Sequence, residues 1–97
     1  MNKAKALSGI HKTTKLLDAK IPKWRLLIDM DTLDLLGTTH DCPCGQIFGE
    51  YEKGLDELGI LPEDAEHYAF QLLIEPEDEP AYSREYSKLT ELWKGVL

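Results

Sequence analysis

The apolar positions near the start of the chain recur with the spacing of a helix. Within residues 4–19, Leu7, Ile10 and Leu17 fall on one face, and lysines occupy the other. Pro22 lacks a backbone N–H and disfavours helical geometry at the residue before it, so the helix should end there. The pattern therefore predicts a basic amphipathic helix that stops just before Pro22.

A longer apolar stripe predicts a helix over residues 43–58. Pro43 suits the first position of a helix, and Gly59 suits the residue after its end, where a left-handed backbone is needed. Gly45 and Gly49 lie beside the stripe, so we expect the backbone of a neighbouring element to approach closely there. The stripe consists of Cys44, Ile47, Phe48, Tyr51, Leu55 and Leu58.

The rest of the chain predicts two further helices and two short extended segments. Residues 62–69 begin with a proline and two acids, and residues 80–97 carry apolar side chains at helical intervals. Residues 26–30 and 70–74 are short apolar runs typical of strands that pair. The predicted fold class is therefore mostly α, a single small domain over residues 1–97 with about four helices and room for one short two-stranded β pair.

Charge divides the chain into a basic arm and an acidic body. Residues 1–25 hold seven basic residues and one acid, and residues 26–97 hold four basic residues and seventeen acids, which leaves a net charge of −7. Two interpretations are open. In the first, the arm folds back on the body or is simply solvated; in the second, the arm or the body offers a charged face to a partner. Direct binding of nucleic acid is not expected, because the acidic body would repel phosphates.

Composition indicates the setting in which the protein works. No apolar run approaches the length of a membrane span, and no apolar stretch follows the charged start as a secretory signal requires. Two cysteines do not make a disulfide scaffold, so a reducing compartment is expected. These features predict a cytoplasmic protein that is neither secreted nor inserted in a membrane.

One short cluster, His40, Cys42 and Cys44, has the residue types of a metal or redox site. A single proline separates the cysteines, whereas zinc sites usually have two to four residues between them and a second ligand pair. A disulfide across one residue would be strained, although Cys42 at a helix start would have a more acidic thiol. We expect no metal or cofactor, and keep this cluster as an alternative site.

Catalytic signatures are absent from the sequence. Asp29, Asp31 and Asp34 come from one segment without a partner base, and capping of local turns explains them better than catalysis. No phosphate-binding loop, nucleophile elbow, zinc-protease motif or dinucleotide fingerprint occurs. The sequence thus favours a protein that is not an enzyme.

Gln46 is a polar residue inside an otherwise apolar helix, so its side chain either faces solvent or is buried with its amide hydrogen bonds satisfied. If buried, it would bond the backbone of a predicted loop over residues 37–41 and hold that loop on the helix. We assign it a structural role. The residues predicted to be structural are Gly45, Gln46, Phe48, Gly49, Tyr51 and Trp93.

Three strings resemble small uncharacterised accessory proteins of actinobacterial phages, of the mycobacteriophage type, over residues 15–60 and 86–93. The central string resembles their Cys-x-x-Gly-Gln-x-x-Gly helix, although Pro43-Cys44 stands where aliphatic residues are expected and the acidic loop 75–80 is long. The resemblance implies a phage-encoded protein in the cytoplasm of an infected bacterium, and it brings no assigned activity. The strings are Lys15-Leu16-Leu17-Asp18-x-Lys20-Ile21-Pro22-x-Trp24 with Ile28-Asp29-x-Asp31-x-Leu33-Asp34-Leu35, Asp41-Cys42-x-x-Gly45-Gln46-x-Phe48-Gly49-x-Tyr51-x-x-Gly54-x-x-x-Leu58-Gly59, and Tyr86-x-x-Leu89-Thr90-x-x-Trp93.

Stoichiometric binding to a host or phage protein is the function that these features favour. An acidic decoy against a nucleic-acid-binding defence protein is the alternative, and a metal or redox module is the third hypothesis. A homodimer through Gly45 and Gly49, or through Tyr82 and Tyr86, stays open. The predicted contact residues are all acids: Glu75, Glu77, Asp78 and Glu79 in the acidic loop, with Asp41, Glu50 and Glu52 on a second face.

Overall fold

The computed structural model describes residues 2–36, 40–71 and 79–97, which contain helices and no strand. No helix in these ranges combines the length and apolar character that crossing a membrane requires. The predicted mostly α fold class is confirmed. The elements are α1 (Lys3–Lys20), a first 3₁₀ helix (Trp24–Leu27), α2 (Pro43–Phe48), α3 (Tyr51–Leu58), a second 3₁₀ helix (Pro62–Tyr68) and α4 (Glu79–Val96).

Helix α1 has the predicted position and end. The side chain of Asn2 accepts a hydrogen bond from the backbone N–H of Lys5 at 3.0 Å, which caps the first turn. The helix ends ahead of Pro22, where the N–H of Ile21 still bonds the carbonyl of Leu17 at 2.7 Å. Its buried face consists of Gly9, Ile10, Thr13, Thr14 and Leu17.

The second 3₁₀ helix packs tightly against α1 at Gly9. A Cβ atom on Gly9 would lie 2.9 Å from both the backbone nitrogen of Ala69 and the carbonyl oxygen of His67. One turn further along, the hydroxyl of Thr13 donates a hydrogen bond to the carbonyl oxygen of Tyr68 at 2.7 Å. Close backbone approach therefore occurs at a glycine that the apolar pattern did not single out.

The predicted continuous helix over residues 43–58 is wrong. The chain turns at Gly49, whose φ of +94° is rarely adopted by residues with a Cβ, and Glu50 is extended at the start of α3. The apolar stripe survives this break because α2 and α3 pack on each other across the turn. Periodicity alone did not distinguish one long helix from two short ones.

Close packing beside Gly49 was also predicted wrongly. Gly49 is exposed, and a Cβ atom there would meet no other atom within 4 Å, so its backbone conformation explains the glycine. The tight contact between α2 and α3 occurs at Gly54, where a Cβ atom would lie 2.5 Å from that of Cys44. Gly45 is buried in α2.

The signals for the ends of these helices are confirmed. The sulfur of Cys42 accepts a hydrogen bond from the N–H of Gly45 at 3.3 Å, and Pro43 follows as the first helical residue. After α3, Gly59 is left-handed, and the N–H of Ile60 bonds the carbonyl of Leu55 at 2.9 Å. These local signals depend on neighbouring residues only.

Within the described residues, neither of the two predicted strands is formed. Residues 24–27 form the first 3₁₀ helix instead, and Phe70 and Gln71 are not extended as a strand within the described part of the chain. Residues 72–74, which complete the second predicted strand, lie outside the described residues. Trp24 is fully buried, and its anchoring favours a compact turn over an extended segment.

An aromatic cluster around Trp93 joins α4 to the rest of the core. The ring of Phe70 stacks on Trp93 with centroids 5.6 Å apart, and Tyr51 meets Phe70 edge-on at 6.1 Å. The indole N–H of Trp93 donates to the carbonyl oxygen of Ala69 at 2.8 Å, so the buried ring leaves no polar atom unpaired. Phe48, predicted as a core residue, is half-buried at the edge of this core.

Thr90 connects the irregular segment after the first 3₁₀ helix to α4. Its hydroxyl accepts a hydrogen bond from the N–H of Leu35 at 3.0 Å and donates to the carbonyl oxygen of Tyr86 at 2.9 Å. Tyr86 is only 4% exposed, and Tyr82 packs against it with ring centroids 4.9 Å apart. The two tyrosines proposed as a dimer seam thus serve the core of the single chain.

Candidate binding surface at the acidic–apolar corner

Apolar side chains are exposed at one corner of the molecule, immediately after the basic arm. Leu26 is 82% exposed, Leu27 51% and Met30 38%, and they occur within five consecutive residues. Exposed acids interrupt and follow them: Asp29, Asp31 and Asp34. We call these six residues the acidic–apolar corner; exposed apolar groups rimmed by charge are typical of protein interaction sites.

The buried ring of Trp24 determines which side chains point outwards. Its indole N–H donates to a carboxylate oxygen of Asp18 at 2.8 Å, and the guanidinium of Arg25 bonds the same oxygen at 3.0 Å while lying 4.4 Å above the indole ring. In a 3₁₀ helix, residues three apart share a face. Leu27 therefore lies partly on the inner side with Trp24, and Leu26 projects furthest into solvent.

The carboxylate of Asp18 is held in its charged form by this arrangement. The hydrogen bond from Trp24, followed by that from Arg25, lowers the pKa of Asp18 below its usual value. The single acid of the arm therefore holds Trp24 and Arg25, at the start of the first 3₁₀ helix, in place.

Gln46 clamps the other side of the corner to α2. Its Oε1 accepts from the N–H of Asp29 at 2.5 Å, while its Nε2 lies 3.2 Å from the carbonyl oxygen of the same residue. The side-chain amide thus bonds both the N–H and the carbonyl oxygen of Asp29, as the backbone of a neighbouring strand does in a β-sheet. Its Nε2 also lies 3.1 Å from the carbonyl oxygen of Asp41 and 3.4 Å from the hydroxyl of Thr32.

The predicted role of Gln46 therefore extends beyond the loop for which it was proposed. The contact with Asp41 belongs to the predicted loop over residues 37–41, of which 37–39 lie outside the described residues. Asp29 and Thr32, which make the other contacts, belong to a segment that the sequence did not connect with Gln46. A further bond from the N–H of Asp34 to the carbonyl of Asp41, at 3.1 Å, joins the same two segments.

Two aspartates of the corner shape its backbone as well as its charge. The carboxylate of Asp29 accepts from the N–H of Asp31, and that of Asp34 accepts from the N–H of Leu36, each at 2.9 Å. Such short-range bonds stabilise turns. Both residues remain exposed, so their negative charge is open to solvent.

The acids predicted to bind a partner are only partly described. Glu75, Glu77 and Asp78 lie outside the described residues, and Glu79 is the first residue of α4, with a side chain outside them too. Asp41 is half-buried and bonded through its backbone. Exposed acids that remain on the second predicted face are Glu50 and Glu52, at the start of α3.

The structure does not bring His40, Cys42 and Cys44 together as a metal site. Among the residues that the structure describes, no three His, Cys, Asp or Glu side chains are grouped to hold a metal ion. A ring nitrogen of His40 lies 2.6 Å from the carbonyl oxygen of Gly49, and the side chain is exposed. Cys44 is 1% exposed, in the core between α2 and α3.

Both thiols are buried, which makes them harder to deprotonate. Burial raises the pKa of Cys42, more than its backbone hydrogen bonds lower it, and burial raises the pKa of Cys44 further. A protonated, buried thiol is a poor nucleophile and a poor metal ligand. The expected activation of Cys42 by the helix start is therefore outweighed by its desolvation.

The basic arm keeps most of its charge towards solvent. One ion pair between described side chains joins it to the acidic body, from Lys20 to Glu57 at 3.8 Å, and both side chains are about half exposed. Lys12 lies 5.8 Å from the ring centroid of Tyr68. These contacts support the first interpretation of the charge pattern: the arm folds back on the body at Lys20, and its other basic side chains are exposed to solvent.

No known protein family, curated protein or solved structure matches this chain.

Proposed function

We propose that this chain is a small binding protein that engages one protein partner stoichiometrically, without turnover, through the acidic–apolar corner. The observation that carries the proposal is the exposure of Leu26 and Leu27 beside three exposed aspartates. Burying the largely exposed side chain of Leu26 would contribute up to roughly 1.5–3 kcal/mol, and burying Leu27, which is half exposed, would contribute less. A partner that covers them recovers that free energy.

The partner's surface follows from the chemistry of the corner. The leucines and Met30 require an apolar recess, and the aspartates require a rim with lysines or arginines. The resemblance to phage accessory proteins supports a host or phage protein as that partner, in the cytoplasm of the infected bacterium. The acids Glu50 and Glu52 lie on the second predicted face and are not required for this contact.

The test compares two sets of exposed leucine variants in an affinity capture from host lysate. Leu26→Ser/Leu27→Ser should lose a partner that the wild-type chain retains, and the affinity for that partner, once purified, should fall at least about tenfold. Leu61→Ser is the matched control, because Leu61 is 56% exposed but lies ahead of the second 3₁₀ helix. Equal loss in both variants, or in neither, would contradict the proposal.

The acidic decoy is the second candidate, supported by seventeen acids over residues 26–97. In this case the partner is a nucleic-acid-binding protein. Duplex DNA should compete with this chain for that partner, and high salt should dissociate the complex. Asp29→Lys/Asp31→Lys would then weaken binding more than Leu26→Ser/Leu27→Ser does. The reverse order supports the acidic–apolar corner as an apolar contact with a charged rim.

A further inference from the structure

A groove lies at the opposite end of α1 from the acidic–apolar corner. It is shallow and widely open to solvent, has a volume of about 450 Å³, and lies between the first turn of α1 and the outer face of α4. Lys3 and Lys20 are seventeen positions apart in α1, a distance of roughly 26 Å at 1.5 Å per residue. The groove is lined by Lys3, Arg84, Ser87, Lys88, Glu91 and Leu92.

The charge of this groove is opposite to that of the body that carries it. Residues 26–97 contain four basic residues, and two of them, Arg84 and Lys88, line the groove together with Lys3. One acid, Glu91, also lines it, and its carboxylate lies 3.8 Å from the ammonium of Lys94. Lys88 is paired with Glu85 at 2.9 Å. Among the described residues, neither Lys3 nor Arg84 lies within ion-pair distance of a carboxylate, so both cations face solvent.

The groove surface is almost entirely carbon, although charged groups surround it. Leu92, half-buried, contributes to it, and the methylene stems of lysine and arginine commonly cover such surfaces while their charged ends reach solvent. A phosphate backbone offers charge without an apolar group to fill this surface. A peptide that alternates acidic and apolar side chains offers both.

We propose that the groove binds an acidic peptide segment whose apolar side chain rests on Leu92 and whose carboxylates meet Lys3 and Arg84. Arginine is suited to this role because its planar guanidinium bonds a carboxylate through two parallel N–H groups. This site is independent of the acidic–apolar corner and would give the chain a second point of attachment.

Fluorescence anisotropy with a labelled peptide tests the proposal. The probe is an eight-residue peptide of six glutamates and two leucines, titrated at low ionic strength, and a peptide of eight glutamates serves as the comparison. The mixed peptide should bind at least about fivefold more tightly than the glutamate peptide. Equal affinities would overturn the apolar part of the proposal.

A matched pair of charge reversals tests the location. Lys3→Glu/Arg84→Glu should weaken binding of the mixed peptide at least about tenfold. The control, Lys15→Glu/Lys23→Glu, makes the same change in net charge away from the groove and should weaken binding less than about threefold. All four side chains are exposed, and none is in an ion pair between described residues, so the circular dichroism of both variants should match the wild type. Equal weakening would overturn the proposal.

Two further measurements distinguish peptide binding in the groove from general anion binding and from binding at the acidic–apolar corner. An oligonucleotide that binds with the same dependence on Arg84 and displaces the peptide would show a general anion site and overturn the peptide assignment. Leu26→Ser/Leu27→Ser should bind the peptide as the wild type does. Loss of peptide binding in that variant would place the peptide at the acidic–apolar corner instead. Whether that variant still captures a partner from lysate tests the proposed function and not the groove.

Discussion

The junction of α1, α4 and the second 3₁₀ helix is built in the opposite way to the acidic–apolar corner. At the junction, the large side chains Ile10, Phe70 and Trp93 are buried, and the polar atoms that accompany them are bonded internally. At the corner, the amide of Gln46 holds the backbone from inside, while Leu26 and Leu27 face solvent. Apolar burial stabilises the first region, whereas hydrogen bonds shape the second and leave its apolar groups available.

Mutations in the two regions should therefore be detected by different measurements. Changes at the junction should lower the free energy of unfolding, because they remove buried area or disturb close packing. Replacement of Leu26, which is 82% exposed, should leave the free energy of unfolding within about 0.5 kcal/mol and affect partner binding instead.

Replacement of Trp93 should have the largest effect on stability. Trp93→Ala removes a fully buried ring that stacks on Phe70 and leaves the carbonyl of Ala69 without its donor. We expect a loss of about 3–5 kcal/mol in the free energy of unfolding, measured by urea denaturation, which is enough to unfold a marginal domain. Phe48→Ala, at a half-buried position, should cost clearly less; an equal loss would contradict the difference in burial.

Two glycine-to-alanine changes should have opposite signs. Gly9→Ala places a Cβ atom 2.9 Å from backbone atoms of the second 3₁₀ helix, which cannot move aside without disturbing the packing, and should destabilise the chain by about 1–3 kcal/mol. Gly95→Ala, within α4, meets no atom within 4 Å and should stabilise it by up to about 0.5–1 kcal/mol. Thermal unfolding of both variants checks the signs. A stabilised Gly9→Ala chain would show that the two elements can separate easily.

Loss of the Gln46 amide should destabilise the chain modestly and have a clear local effect. Gln46→Leu keeps the volume but leaves the N–H of Asp29 to water, so we expect a loss of about 1 kcal/mol. Amide exchange at Asp29 should accelerate much more than exchange in α4, as measured by NMR. Gln71→Leu is the control, because Gln71 is exposed and its one bond, to the Tyr51 hydroxyl, is long at 3.4 Å. Unchanged exchange at Asp29 would show that the clamp does not hold the corner.

The sequence was informative about the secondary structure and less so about the candidate site. The start of α2 at Cys42 and Pro43, the end of α3 at Gly59 and the end of α1 before Pro22 were all predicted. Residues 26–30 were interpreted as a strand because three consecutive apolar residues fit a buried strand as well as an exposed turn. Nothing in the local pattern signals that Trp24 alone would be buried there.

Local chemistry determined where the helices begin and end, because caps, prolines and left-handed glycines act through bonds between residues close in the chain. It also determined the mostly α fold class and the separation of a basic arm from an acidic body. Only the tertiary structure decided that Gly49 divides a helix, that Gln46 pairs with Asp29, and that Leu26 faces solvent. Each of these depends on which distant residues come into contact, and hydrophobic spacing carries no information about that choice.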